Sequence, residues 1–154
     1  MMSRMGTRGR ILAVAAALVV AGTGLAFADG AASADHRQAE MKKMGGAMKR
    51  LSQSAKGEQP FGPETVAAAE AIQAVGHEIP ALFKDNEPAP KSRAKPEVWS
   101  DAGKFAAAAK AFSDTTPALV AAAGGTDAAA LGAALGASGK ACGACHDAFR
   151  SKDQ

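Results

Sequence analysis

Apolar residues recur at helical spacing along most of the chain, and proline and glycine divide it into helix-length pieces. The first piece spans about residues 35–54. Three methionines and one leucine recur within it at i, i+3, i+7 and i+10, a spacing that places side chains on one face of a helix. This face consists of Met41, Met44, Met48 and Leu51. The pattern predicts a first helix with one buried side.

A second helix is predicted to begin at Pro63-Glu64, since proline is favoured in the first turn of a helix. Residues 56–62 form the connector before it. Four apolar residues make its buried stripe: Ile72, Val75, Ile79 and Leu82. Residues 84–96 contain three prolines, too many for a helix, and are predicted to form a long crossing loop.

A third helix should begin near Pro96-Glu97 and bury the aromatic residues Trp99, Phe105 and Phe112. Pro117 predicts a kink or an early end of that helix. The fourth helix is predicted to start at Thr126 as N-cap, with Asp127 in its first turn. Its inner positions run toward Lys152 through Leu131, Leu135, Cys142, Cys145 and Phe149. Four such pieces, with few β-branched residues, predict an all-α fold, an antiparallel four-helix bundle.

Residues 1–28 have the three parts of a secretory signal peptide. Arginines at 4, 8 and 10 precede an apolar run over 11–20, and small residues lead to a cleavage site after Ala28. Cleavage near Ala34 is an alternative, as is an uncleaved anchor, although the run is short for a membrane span. We therefore predict a periplasmic protein whose single domain covers residues 29–154.

Removal of the signal peptide changes the charge. The full chain has 18 Lys and Arg against 15 Asp and Glu, and residues 1–28 hold three of the basic residues and none of the acidic ones. Residues 29–154 are therefore balanced in charge. A neutral domain without a basic run gives no footprint for nucleic acid, so no nucleic-acid partner is predicted.

The only two cysteines of the chain stand in Cys142-Gly143-Ala144-Cys145-His146. A C-x-x-C-H sequence is the attachment signature of c-type haem. Two thiols form thioethers with the two vinyl groups, and the adjacent imidazole binds the iron. On a helix, positions i, i+3 and i+4 share one face. The motif predicts one covalent haem c, with iron.

Three other chemistries fit parts of the motif. A structural zinc site needs four ligands, and the other two histidines, His36 and His77, are distant in sequence. A thioredoxin-like redox pair requires a βαβ context. A disulfide across three residues of a helix has poor geometry and leaves His146 unexplained. Haem attachment accounts for all three residues.

The sequence resembles the class II c-type cytochromes, which carry the haem motif at the C-terminal end of a four-helix bundle. The resemblance covers residues 29–154, and its most specific block is residues 140–150. It implies that Cys142 and Cys145 bind the haem and that His146 is the proximal iron ligand. It also implies that Arg150 lies beside the proximal face and that Arg37 lies near the haem propionates, where a charge-assisted hydrogen bond is favourable. Either arginine is alternatively a surface charge.

By the same resemblance, Met41 faces the sixth coordination position of the iron. In the low-spin branch its sulfur binds iron, and His/Met ligation suits electron transfer. In the cytochromes c prime the residue only shields an open position. Methionines at helical spacing are also common core residues. We favour the first interpretation: a periplasmic electron carrier, with iron bound by His146 and Met41, that serves a redox partner protein.

The alternative is a five-coordinate haem that binds NO or CO. A haem enzyme would need a distal acid or base above the iron. His36 lies off the face of Met41, and His77 is predicted at a helix surface, so no enzyme activity is predicted. The resemblance further implies a possible homodimer through the first two helices.

Overall fold

The computed structural model describes residues 25–86 and 92–152. These residues form six helical segments and no β-strand: α1 (Leu25–Ala55), α2 (Pro63–Leu82), α3 (Glu97–Ser100), α4 (Ala102–Ser113), α5 (Thr116–Ala123) and α6 (Ala128–Phe149). The first helix begins ten residues before its predicted start. Residues 1–24 lie outside the described part, so the signal peptide stays a prediction. Among the described helices, none has the length and hydropathy needed to cross a membrane.

Four long elements, α1, α2, α4 with α5, and α6, pack around a common core. Helix α1 packs against α2 and α6, while α4 and α5 pack against both α2 and α6. The segments α4 and α5 together take the place of the predicted third helix. The prediction of an all-α, antiparallel four-helix bundle is confirmed.

The third helix is interrupted twice. Pro117 stands in the first turn of α5, so the break predicted there occurs between Ser113 and Thr116. Thr115 and Thr116 bridge this break because their hydroxyls donate to the carbonyls of Phe112 and Ser113 at 2.7 and 2.8 Å. A second break, at Asp101 between α3 and α4, was not predicted.

The start of α6 corrects another prediction. Its N-cap is Asp127 and not Thr126: the carboxylate of Asp127 accepts hydrogen bonds from the backbone N–H groups of Ala129 and Ala130, at 2.9 and 3.1 Å. One side chain thus satisfies two of the four backbone donors left open at a helix start. At its other end α6 stops at Phe149, three residues before the predicted Lys152.

The core lies where the buried faces of the four long elements meet. Its fully buried large side chains are Leu51, Ile72, Leu119 and Leu131. Val75 and Ile79 are buried as predicted, whereas Leu82 is only half-buried. Trp99 is half-buried and donates its indole N–H to the carbonyl of Phe83 at 2.9 Å. This hydrogen bond ties α3 to the end of α2.

Helices α2 and α4 are in close contact at Gly76. A Cβ atom at this position would lie 3.0 Å from Cε1 of Phe112. The Ser113 hydroxyl donates to the carbonyl of Gly76 at 2.9 Å and limits how far α4 can retreat. The absence of a side chain at Gly76 is therefore needed for this packing.

We expect Gly76→Val to lower the free energy of unfolding by about 1–3 kcal/mol, the usual cost of overpacking a core. Ala74→Val is the matched control, since Ala74 is exposed on the same helix and the substitution adds an equally β-branched residue. Urea denaturation of both haem-loaded variants gives the comparison. Equal losses in the two variants would contradict the close approach at Gly76.

Candidate haem site

The three residues of the attachment motif share one face of α6 and open into one cavity. Cys142 and Cys145 are half-buried, His146 is more exposed, and all three line a cavity of about 660 Å³. Their positions at i, i+3 and i+4 place them one above another on the helix. The structure therefore brings two thiols and one imidazole to the wall of a single large space, as the motif predicts.

The remaining walls of this cavity come from five other parts of the bundle. Helix α1 contributes the methionine face, α2, α3 and α4 contribute apolar side chains, and the crossing segment contributes residues just before α3. The lining residues outside α6 include Met41, Met44, Met48, Ile79, Phe83, Val98, Phe105 and Phe112. Among the residues that the structure describes, the lining contains no acidic side chain. The interior is apolar, and its few charged side chains are cations.

Both cysteines are free thiols in the structure. Burial raises the pKa of Cys142, with a further increase from the neighbouring Cys145, and burial also raises the pKa of Cys145. Redox-active cysteines have a lowered pKa instead, so a thioredoxin-like pair is disfavoured. No group of three or more His, Cys, Asp or Glu side chains in the described ranges is arranged to hold a metal ion, which gives the zinc interpretation no support.

The surroundings of His146 favour its neutral form. Burial lowers its pKa most, Arg150 and Arg93 lower it further through their positive charge, and Asp147 opposes them. A neutral imidazole is the form that binds a metal ion. Nη1 of Arg150 lies 3.4 Å from Nδ1 of His146, so Arg150 lies one turn beyond the imidazole and beside it, and its role at the proximal face of a haem stays a prediction.

Arg37 lies in the cavity wall and is only 4% exposed. Its Nη1 donates to Oγ of Ser33 at 2.9 Å and to the carbonyl of Leu82 at 3.5 Å, and its guanidinium lies 5.2 Å from the centre of the Phe83 ring. These contacts fix a cation at the edge of an apolar space. The position suits a carboxylate such as a haem propionate, and that role stays a prediction.

Met41 does not stand alone on the wall that α1 forms. Met44 and Met48 line the same cavity, with Met44 buried and the other two half-buried. All three methionines therefore line the cavity, whereas only Met41 was predicted to face the iron. The sequence pattern had indicated this, because the three positions share one helical face, but it left Met44 and Met48 as core residues only.

The crossing segment before α3 was not predicted to be part of the site. The backbone N–H of Lys95 donates to the carbonyl of Phe149 at 2.9 Å, and that of Ser151 donates to the carbonyl of Arg93 at 2.8 Å. The Lys95 ammonium donates to the carbonyls of Asp147 and Ala148 at 3.0 and 3.1 Å. We call residues 93–95 and 149–151 together the terminal clamp. It satisfies carbonyls at the end of α6, next to His146.

The other two histidines are exposed and do not line the cavity. His36 and His77 thus lie at the surface as predicted, and neither stands where an acid or base above the iron would be needed. The absence of enzyme activity stays a prediction.

The cavity residues fit a haem. Two thiols and one imidazole on one helix face match the covalent and axial bonds of a haem c, and an apolar interior matches the flat macrocycle. Arg37, Lys42 and Arg93 in the lining supply cations for a group that carries two carboxylates. The thiols, the imidazole, the apolar walls and the cations of the cavity therefore all fit a haem c.

Comparison with known proteins identifies the family. The sequence model of the family described as Cytochrome C' matches residues 32–150. The cytochrome c' of Pararhodospirillum photometricum is 39% identical over 117 residues, which cover 75% of this chain and 94% of that protein. A cytochrome c-556 of Agrobacterium tumefaciens is 37% identical over 120 residues, 77% of this chain and 94% of that protein.

Comparison with solved structures gives the same family. A nitric oxide complex of a variant of cytochrome c prime from Alcaligenes xylosoxidans has a TM-score of 0.73 and 33% identity, and covers 82% of this chain and 99% of that one. A carbon monoxide complex of another variant of the same protein gives the same values. These comparisons favour the gas-binding alternative over the His/Met electron carrier that the sequence analysis preferred.

The family match over residues 32–150 coincides with the bundle and with the wall of the cavity. The cofactor predicted from the motif is confirmed, because cytochrome c' proteins bind one covalently attached haem c with iron. The chain belongs to the cytochrome c' family of class II c-type cytochromes.

Proposed function

We propose that this chain is an exported cytochrome that binds NO or CO at a five-coordinate haem. The observation that carries the proposal is the likeness, over 82% of the chain, to solved NO and CO complexes of a cytochrome c prime. The predicted signal peptide supports a periplasmic location, where haem is attached to such motifs.

Three residues of α6 would hold the cofactor. Cys142 and Cys145 would bind it through thioethers, and His146 would bind its iron. The haem would supply an iron that can bind a diatomic gas. The terminal clamp and Arg150 would fix the orientation of the imidazole, since they end α6 within four residues of His146.

The α1 side of the cavity would select the ligand. Met41, Met44 and Met48 present thioethers and methylene groups there, and no acidic side chain of the described lining is available to bind a cation or transfer a proton. Moving a charged ligand into such surroundings without a partner costs several kcal/mol, whereas a neutral diatomic gas pays no such penalty. The methionine face therefore favours neutral NO and CO over charged ligands, while Arg37 and Lys42 of the same helix would serve the carboxylates of the haem.

The test is the optical spectrum of the haem-loaded protein, ferric and ferrous, with and without carbon monoxide. We expect a high-spin spectrum that shifts when carbon monoxide is added. We also expect Met41→Ala to bind the gas about tenfold faster, equivalent to a barrier lower by roughly 1.4 kcal/mol, because a smaller side chain obstructs the open position less.

Met48→Ala is the control, since Met48 lies on the same helix face two turns further on and also lines the cavity. A smaller acceleration there would assign the obstruction to Met41. Two results together would overturn the proposal. The unaltered protein would show a sharp low-spin spectrum that does not change with carbon monoxide, and only Met41→Ala would respond to the gas. They would restore the electron carrier with Met41 on the iron.

A further inference from the structure

A second cavity lies behind His146, on the side away from the methionines. It has a volume of about 220 Å³, room for about seven waters at roughly 30 Å³ each, and is lined by Arg93, His146, Asp147, Arg150, Ser151 and Lys152. Three of these residues, Arg93, His146 and Arg150, also line the haem cavity. The imidazole and two arginines thus form the partition between the two spaces.

The second cavity is cationic. Arg93, Arg150 and Lys152 face one carboxylate, that of Asp147. The ion pairs found among the described residues join other side chains: Lys43 with Glu40, Arg50 with Glu64, Lys104 with Asp101 and Lys110 with Asp114. Among the described residues, none of these ion pairs involves Arg93, Arg150 or Lys152. Nε of Arg93 donates to the carbonyl of Ser151 at 3.4 Å, which holds its guanidinium at this position.

The closeness of His146 and Arg150 favours an acceptor that can serve both side chains. A histidine that binds a metal through one ring nitrogen donates the N–H of the other to a carboxylate, a carbonyl or water. Here Nη1 of Arg150 lies 3.4 Å from Nδ1, and a guanidinium has only donors. If Nε2 binds iron, as the proposed function requires, Nδ1–H and Arg150 are two donors directed at each other.

We infer that the second cavity binds a small oxyanion, which accepts hydrogen bonds from both Nδ1–H of His146 and the guanidinium of Arg150. An oxyanion has several acceptor oxygens, so it satisfies two donors that cannot bind each other. Arg93 and Lys152 add positive charge, and charge-assisted hydrogen bonds to such anions are the stronger kind. The binding of an anion is inferred from the cavity and its charges alone. The hydrogen bond from His146 to that anion, which we call the bridge to His146, rests also on the proposed function.

The test is titration of the haem-loaded protein with inorganic phosphate at constant ionic strength, followed by calorimetry and by the ferric absorption bands. We expect saturable binding of one phosphate. Arg93→Gln should weaken it about fivefold and Asp147→Asn should strengthen it about fivefold, the effect of one unit charge at contact distance in water. Lys49→Gln removes an exposed charge outside both cavities and should change binding by less than about twofold, because salt screens distant charges.

A change in the ferric bands that saturates together with the calorimetric signal would confirm the bridge to His146. Absence of saturable binding, or equal binding by the unaltered protein and Arg93→Gln, would overturn the oxyanion site. Binding with the expected pattern but with unchanged ferric bands would overturn the bridge. Calorimetry measures phosphate binding independently of gas binding. If the protein binds phosphate but does not respond to carbon monoxide, the proposed function fails while the oxyanion site stands.

Discussion

A chain in which Cys142 and Cys145 are both replaced by alanine is expected to carry no covalently bound haem. The thioethers need two thiols, and these are the only two in the chain. The loss should be complete because no other side chain forms that bond. Denaturing gel electrophoresis stained for haem, together with the intact mass of the polypeptide, measures it directly.

Gly143→Ala is the matched control for this experiment. Gly143 lies between the two cysteines, and a Cβ atom there would meet nothing within 4 Å. The variant changes the same turn of α6 without removing a thiol, so it should retain the haem. Haem that stays bound to the double alanine variant through denaturation would contradict the attachment assigned to Cys142 and Cys145.

Leu51→Ala is expected to produce the largest loss of stability among single core substitutions on α1. Leu51 is fully buried and lies one turn beyond Met48. Truncation of a buried leucine removes its transfer free energy and leaves a cavity, at a cost of about 2–5 kcal/mol. Against a total stability of about 5–15 kcal/mol for a typical domain, this is a large fraction. Urea denaturation of the haem-loaded variant measures the change.

Leu135→Ala tests whether burial is the cause. Leu135 is only half-buried on α6, so the same truncation there should cost clearly less. If both variants lost the same free energy of unfolding, the difference in burial between Leu51 and Leu135 would not be the cause of the loss. The comparison keeps the chemical change constant and varies only its surroundings.

Local pattern was sufficient to predict the motif and the four long elements, although it missed the first turns of α1 and the break between α3 and α4. Helical spacing located the faces of α1 and α2, and Pro117 marked the break before α5, since each signal depends on residues within one or two turns. The N-cap was misplaced by one residue because Thr126 and Asp127 are both good caps, and the choice depends on which side chain reaches the backbone N–H groups of α6.

Long-range contacts were not predictable in the same way. No local signal shows that Lys95 reaches carbonyls 52 and 53 residues further on, or that Arg93 stands beside His146. The choice between an electron carrier and a gas-binding protein was also beyond the pattern, because Met41 satisfies both. It took the comparisons with relatives to favour gas binding.

The terminal clamp ties the end of the haem helix to a segment more than fifty residues earlier in the chain. The two segments are already held together in the folded bundle, because Val98 and Phe149 are both buried in the core. The hydrogen bonds of the clamp, worth about 1 kcal/mol each, therefore form without a separate cost in loop-closure entropy. The position of His146 at the end of α6 thus depends on the packing of the whole bundle and on more than the one helix that carries it.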